Sequence, residues 1–200
     1  GVFADLTFGG GGHSREILSA NILNQLMAMD CDPDAGNRAS SLGDDFGERF
    51  KFVDDRFQNF DQYAKAMEFD GVLLDLGISS FQLMEARKGF SFRLDAPLDM
   101  RLDPRVGMSG ASFLEEASEE SLTRAVREYG EEKRWRRVVD AILRARGTGK
   151  LRTTLSAAEV VTQAVGGHKY KQRIHPATKT FQGIRIAING ELEALVTVLP

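Results

Sequence analysis

The sequence predicts an α/β fold, with a parallel sheet in the first half, an inserted helical module, and a helix that returns to the sheet. Three observations carry that expectation. Four short apolar runs alternate with helix-like segments over residues 1–100, the pattern of parallel strands joined by crossovers. A glycine-rich turn links the first run to the first helix. Beyond residue 104 the apolar residues fall at the three- and four-residue spacings of helices. The expected division is 1–103 for the α/β part, 104–177 for the helical module and 178–200 for the returning helix.

Val2-Phe3-Ala4 opens the first strand and Asp5 halts it; residues 6–12 form a turn, and Ser14-Arg15-Glu16-Ile17-Leu18 starts a helix. Gln25-Leu26-Met27-Ala28-Met29 is the second strand, ending in Asp30-Cys31-Asp32-Pro33. Pro33 cannot continue a strand and suits a first helical turn. Phe50-Lys51-Phe52-Val53 is the third. Residues 71–76 form the fourth, an apolar stretch closed by Asp75 and Gly77 that reads as buried on both faces. Residues 90–103 lack a period, and long irregular loops are commonly functional. Helix starts are expected at Ser112-Phe113-Leu114-Glu115 and Ser156-Ala157-Ala158-Glu159, both of capping-box form. A last helix from about Thr178 places Phe181, Ile184, Ile188, Leu192 and Leu195 on one stripe.

The chain has 200 residues, 42% hydrophobic and 28% charged, with a formal charge of −3. That near-neutral total conceals a split, because residues 1–100 carry −8 and residues 101–200 carry +5. Within 121–185 there are 15 basic and 5 acidic residues, the electrostatic footprint of a surface that meets phosphates. The competing reading is a solvated helix face laced with intrahelical pairs. A single cysteine, Cys31, excludes an internal disulfide framework and any cysteine-based zinc cage. It suits a reducing compartment, and the expected location is cytoplasmic. No run reaches the roughly 20 apolar residues of a membrane span. The three histidines, 13, 168 and 175, have no metal-ligand spacing, so no catalytic metal is expected.

A glycine turn between strand and helix lets backbone N–H groups approach a ligand at the positive end of the helix. A dinucleotide fingerprint starting at Gly9 or Gly10 needs glycine where Ser14 or Arg15 stands, which weakens that reading. A P-loop is excluded, since no lysine follows the glycines. Asp30, 19 residues beyond Gly11, ends the second strand, where an acid accepts hydrogen bonds from ribose hydroxyls; its alternative use is as a helix cap. Loop amides and Asp5 complement a methionine end bearing carboxylate, ammonium and sulfonium. This favours S-adenosylmethionine over NAD.

Several ordered motifs then converge on one family. They are Asp5-Leu6-Thr7-Phe8-Gly9-Gly10-Gly11-Gly12-His13-Ser14, Asp30-Cys31-Asp32-Pro33, Asp70-Gly71-Val72-Leu73-Leu74-Asp75-Leu76-Gly77-Ile78-Ser79-Ser80-Phe81-Gln82-Leu83, Gly89-Phe90-Ser91-Phe92-Arg93, Pro97-Leu98-Asp99-Met100-Arg101 and His175-Pro176-Ala177-Thr178-Lys179-Thr180-Phe181-Gln182. Together they resemble the bacterial MraW-type methyltransferases across essentially the whole chain. The resemblance implies a class I, Rossmann-like methyltransferase sheet with a helical module after its fourth strand. It implies S-adenosylmethionine as cofactor, small-subunit ribosomal RNA or the small subunit as partner, and methylation of a cytidine N4 in the decoding region. It also implies further strands after the last helix, so these 200 residues are expected to be part of a longer protein.

The cofactor residues carried over are Gly11, Gly12, His13, Asp30, Phe57, Asp75 and Gln82. Plainer alternatives are core packing with Phe60 for Phe57 and an exposed loop amide for Gln82. The sequence departs from the family at Gly10 and Cys31, both commonly Arg there, at Asp55-Arg56, commonly Gly-Pro, at Phe81, commonly Pro, and at Ala96, commonly Gly. Cytosine's exocyclic amine is a poor nucleophile, so transfer needs alignment and acceptors for its hydrogens. Asp75 and Ser79 are the catalytic candidates, against the alternatives that Asp75 serves only the cofactor and Ser79 caps a helix. A base must leave its stack to react, so cations are needed to grip the RNA backbone. Arg93, Arg101, Lys179 and Arg185 come first, with His175 as a stacking or donating group and Lys169, Lys171 and Arg173 as a second basic run. The competing functions are an NAD-dependent oxidoreductase and a non-catalytic RNA-binding or assembly factor on the same fold.

Overall fold

A computed structural model describes residues 1–64, 68–167 and 174–199. Strands β1 (Val2–Asp5), β2 (Gln25–Asp30), β3 (Phe50–Asp54) and β4 (Gly71–Leu73) form one parallel sheet in the order β3-β2-β1-β4. Its register pairs Val2 with Gln25, Leu26 with Phe50 and Phe3 with Gly71. Parallel neighbours need crossovers, and α1 (Gly12–Ala20), α2 (Pro33–Phe46) and α3 (Phe60–Ala64) supply them. The chain leaves β1 towards β2 on one side and later adds β4 on the other. This reversal makes the carboxyl ends of the strands the place where a crevice opens.

Strand alternation divides the core. Leu26 and Ala28 of β2 pack with Phe8, Leu18, Ala35, Ala39 and Leu42, while Met27 and Met29 pack with Ala4, Leu6 and Val53. Both faces of β2 are covered, as its unbroken apolar run requires. Each fully buried methionine stabilises the fold by roughly 1.5–3 kcal/mol. β4 differs from its sequence expectation. It ends at Leu73, and Val72 is 48% exposed; among the described residues β4 pairs with β1. Where β1 stops, the next segment changes partner and the Asp75 N–H donates to Thr7 Oγ1 at 2.7 Å.

The chain divides into two compact units, Gly1–Gln82 with Leu192–Pro200, and Leu83–Glu191. Packing therefore draws the lines elsewhere than 103/104 and 177/178. In the second unit are α5 (Gly110–Glu116), α6 (Glu119–Thr123), a π-helical turn (Arg124–Tyr129), α7 (Trp135–Ala145), α8 (Thr154–Ala164) and α9 (Thr178–Asn189). The dividing points fall inside α4 (Ser80–Met84) and α10 (Glu191–Val198). The irregular stretch 90–103 is anchored to this unit by alternate buried side chains, with Arg93 and Leu94 exposed between them. Leu98 and Met100 are fully buried, and Asn189 holds the backbone by donating to the Met100 carbonyl and accepting from the Leu102 N–H.

Two caps move by a few residues. Ser109, not Ser112, caps α5 by accepting from the Ser112 N–H. α8 begins at Thr154, whose hydroxyl accepts from the Ala96 N–H and donates to the Leu94 carbonyl. The expected last helix is two, broken at Gly190 in the left-handed conformation, φ 60°, the usual glycine stop. α9 packs against the π-helical turn. It is α10 that returns to the sheet unit, where Val198 packs against the Met27 and Met29 cluster. Among the described residues no helix is long and apolar enough to cross a membrane, and no group of acidic, histidine or cysteine side chains is arranged to hold a metal.

Candidate functional site

The site is built from the loops that follow β1, β2 and β4. After β1 the chain is pinned from both sides: Leu6 N–H donates to the Leu73 carbonyl and Phe8 N–H to that of Met29, each at 2.9 Å. Gly11 then adopts φ 77° as the N-cap of α1. A Cβ there meets the Phe8 ring at 2.7 Å, whereas one at Gly12 meets nothing within 4 Å. No side chain caps α1, so its first N–H groups face open space at the positive helix end. Such an end receives a carboxylate.

Two carboxylates brace this loop in different ways. Asp5 is fully buried and accepts from Ser14 Oγ at 2.6 Å and from the Thr7 N–H at 3.1 Å. Desolvation raises its pKa against those hydrogen bonds. It therefore holds the loop from within and does not face a ligand, contrary to the sequence expectation. Asp30, at the end of β2, accepts from the Gly9 N–H at 2.7 Å through one oxygen and from the Asp32 N–H at 2.9 Å through the other. Burial raises its pKa as well. The cap of α2 is Asp32, whose side chain accepts from the Asp34 N–H, so Asp30 is not the cap. Each of its oxygens retains a lone pair for a further donor.

Beyond β4, Asp75 is exposed and its Oδ2 lies 3.3 Å from His13 Nε2. The loops after β1 and β4 thus meet through a side-chain pair. Gln82 is 4% exposed; its amide N–H donates to Asp32 Oδ2 at 3.0 Å and its carbonyl oxygen accepts from the Ser79 N–H at 2.9 Å. It is no loose loop amide, and it joins the β2 and β4 loops from beneath. Ser79 Oγ accepts from the Gln82 N–H, so this hydroxyl starts α4 and is committed to structure rather than to catalysis. Phe57 is half-buried and packs on the Met27 and Met29 cluster beside Phe60, its plainer reading.

Sequence reasoning missed Arg38, Phe81, Thr7 and Asp32. Arg38 Nε donates to the Gly9 carbonyl at 2.8 Å, and its guanidinium lies 5.4 Å from the Phe81 ring centroid. That ring fills the space a Cβ at Gly10 would take. Only Asp32 carried a local signal, an acid directly before a helix-starting proline.

The residues expected to grip RNA fall into two groups. Arg101 forms a two-pronged pair with Asp99 at 2.8 and 2.9 Å, and Arg185 does so with Glu191 at 2.7 and 2.9 Å. Partial burial pushes the Asp99 carboxyl up, but Arg101 outweighs it and holds the group below its usual range. Both arginines are thus spent inside the helical unit. Arg93 is exposed, and Lys179 Nζ donates to the Glu131 carbonyl at 3.2 Å. His175 packs against Phe92, ring centroids 4.4 Å apart and planes tilted by 37°, and its Nδ1 accepts from the Ala177 N–H. Its ring thus helps start α9. His168, Lys169, Lys171 and Arg173 lie outside the described residues.

Comparison with known proteins agrees with this architecture. The chain is 44% identical to a ribosomal RNA small subunit methyltransferase H of Hydrogenovibrio crunogenus over all of its length and 64% of the relative's. It is 45% identical to that of Syntrophotalea carbinolica over 97% of the chain and 63% of the relative. With that of Nitrosomonas eutropha it shares 45% identity over 100% and 64%. The chain thus spans about two thirds of the length of these relatives. A four-stranded parallel sheet, an uncapped glycine turn and an acid closing the second strand sit within a sequence that the model of the MraW methylase family matches over residues 1–200, and the chain belongs to that family.

Proposed function

We infer that this chain provides the methyl-donor site and part of the RNA-facing surface of an S-adenosylmethionine-dependent methyltransferase acting on small-subunit ribosomal RNA, with N4 of a decoding-region cytidine as the acceptor. The observation that carries the reading is the uncapped N-terminus of α1 behind Gly11 and Gly12, set beside Asp30 at the end of the next strand. The fit is chemical. The N–H groups at Gly12 and His13 suit the methionine carboxylate, and the remaining lone pairs of Asp30 suit ribose hydroxyls. Phe57, which follows β3 and packs on the Met27 and Met29 cluster, and Gln82, which ties the β2 and β4 loops together from beneath, would support the adenosine side of the site, while Asp75, exposed after β4, would lie at the reacting end. When bound, the cofactor supplies a methyl group on a positively charged sulfur.

The chain's own part is alignment. Asp75, exposed after β4 and next to His13, is the acceptor available to the amine's hydrogens as positive charge develops on nitrogen. The test uses the full-length protein, labelled cofactor and small subunits from cells lacking the modification. Label on cytidine N4 is expected, and label on any other atom or none overturns the reading. An Asp75→Asn variant is expected to lower kcat more than 100-fold while changing the affinity for S-adenosylhomocysteine less than tenfold.

A further inference from the structure

We propose that the head of α7, with Trp135 within cation–π reach of Arg127 and Arg136 and with Lys133 and Arg137 nearby in sequence, is a binding surface for single-stranded RNA. The proposal rests on the reading of function above and names residues that reading does not use. It starts from pairing. Many cations of the helical unit are neutralised within it: Arg101 by Asp99, Arg105 by Asp103, Arg124 by Glu120, Arg144 by Asp140 and Arg185 by Glu191. Among the described residues Arg127, Lys133, Arg136 and Arg137 form no such pair. All four are exposed, and Lys133, Arg136 and Arg137 line one concave surface with Arg134.

The backbone beneath them is built closely. Arg127 sits on the π-helical turn, a form frequent at functional sites. Gly130 packs so closely on α9 that a Cβ there meets the Lys179 carbonyl oxygen at 2.5 Å. Glu131 follows with φ 50°, a conformation a non-glycine residue holds only when its surroundings impose it. Lys179 clamps its carbonyl, and Arg134 donates to the Val165 carbonyl. The chain then enters α7 at Trp135. The Arg136 and Arg127 guanidinium carbons lie 4.3 and 5.3 Å from the indole centroid, within the range of cation–π attraction. Solubility charge has no need of such support. Planar cations beside an aromatic ring match unstacked bases on a phosphate backbone. An acidic protein surface would use the charge but not the ring.

The experiment measures binding of a fluorescein-labelled single-stranded RNA to the full-length protein by anisotropy over a salt series. Heparin serves as a polyanion without bases. The double variant Arg136→Gln/Arg137→Gln is expected to weaken RNA binding at least tenfold and to reduce the salt slope by roughly 1.4, the value for two lost phosphate contacts on a single strand. Arg144→Gln, the same change on the same helix at a paired position, is expected to cost less than twofold. Trp135→Ala should weaken RNA about fivefold and heparin less than twofold, with Trp135→Phe close to the parent. Equal losses for Arg144→Gln and the double variant, or unchanged RNA affinity in Trp135→Ala, overturn the proposal. Unchanged RNA affinity in the double variant does so too and leaves an acidic partner as the reading of the patch. Binding is read without methyl transfer, so RNA binding that survives a failed methylation assay strikes the proposed reaction and not this surface.

Discussion

At Gly11 two constraints coincide, a left-handed φ of 77° and a Phe8 ring 2.7 Å from where a Cβ would sit. Gly11→Ala is therefore expected to destabilise the fold by about 1–3 kcal/mol, from strained backbone together with displacement of a core ring. A urea titration checks this. Calorimetry with S-adenosylhomocysteine should show at least a tenfold weaker Kd for the variant. Asp30 gives a pH prediction. Burial raises its pKa, and only the ionised carboxylate offers both oxygens to hydroxyl donors, so affinity should fall as pH drops through that raised value, earlier than for an ordinary carboxylate. Asp30→Asn should weaken binding at neutral pH and flatten the dependence. Affinity that holds steady into the ordinary carboxylate range contradicts this. The glycine run and Asp30 were legible in sequence because they lie at strand ends. Arg38 and Phe81 were not, since what links them to Gly9 and Gly10 is spatial contact.

Among the helical elements, the closest packing is between α9 and the π-helical turn. A Cβ at Gly183 would overlap the Ala125 carbonyl oxygen and approach Gly130 N at 2.7 Å. Gly183→Ala should therefore cost about 1–3 kcal/mol or more, despite alanine's better helix propensity. The lone tryptophan, Trp135, begins α7 in the same unit, so its fluorescence in a denaturant titration reports the loss; an unchanged midpoint contradicts it. Periodicity marked α9 well, through Phe181 and Ile184. It ran on through Leu192 because it cannot see a backbone reversal at one glycine. Capping boxes misplaced two helix starts for a related reason: several serines and threonines lay within a turn of each other, and packing chose among them.

For the molecule as a whole, the two units carry opposite acid responses. Asp5 and Asp30 have raised pKa values in the sheet unit. The unfolded chain then loses these protons first, and their contribution to stability falls as pH rises from the ordinary carboxylate range to the raised values. Asp99, in the helical unit, is lowered, so its contribution is present above the ordinary range and is lost as pH falls through its depressed value. Trp135 fluorescence should accordingly show the parent losing its advantage over the Asp99→Asn variant under acid, where the parent's paired carboxylate is itself protonated. Denaturant midpoints at neutral and strongly acid pH test it, and a gap of the same size at both contradicts it. The sequence by itself determined the α/β class, the glycine turn, the acid at the end of β2 and the family, because each rests on local order along the chain. Tertiary structure alone decided where β4 ends, that α10 rather than α9 rejoins the sheet, and which cations are spent. Burial and pairing depend on what lies across space, and Arg101, Arg136 and Arg185 are the same residue until their neighbours are known.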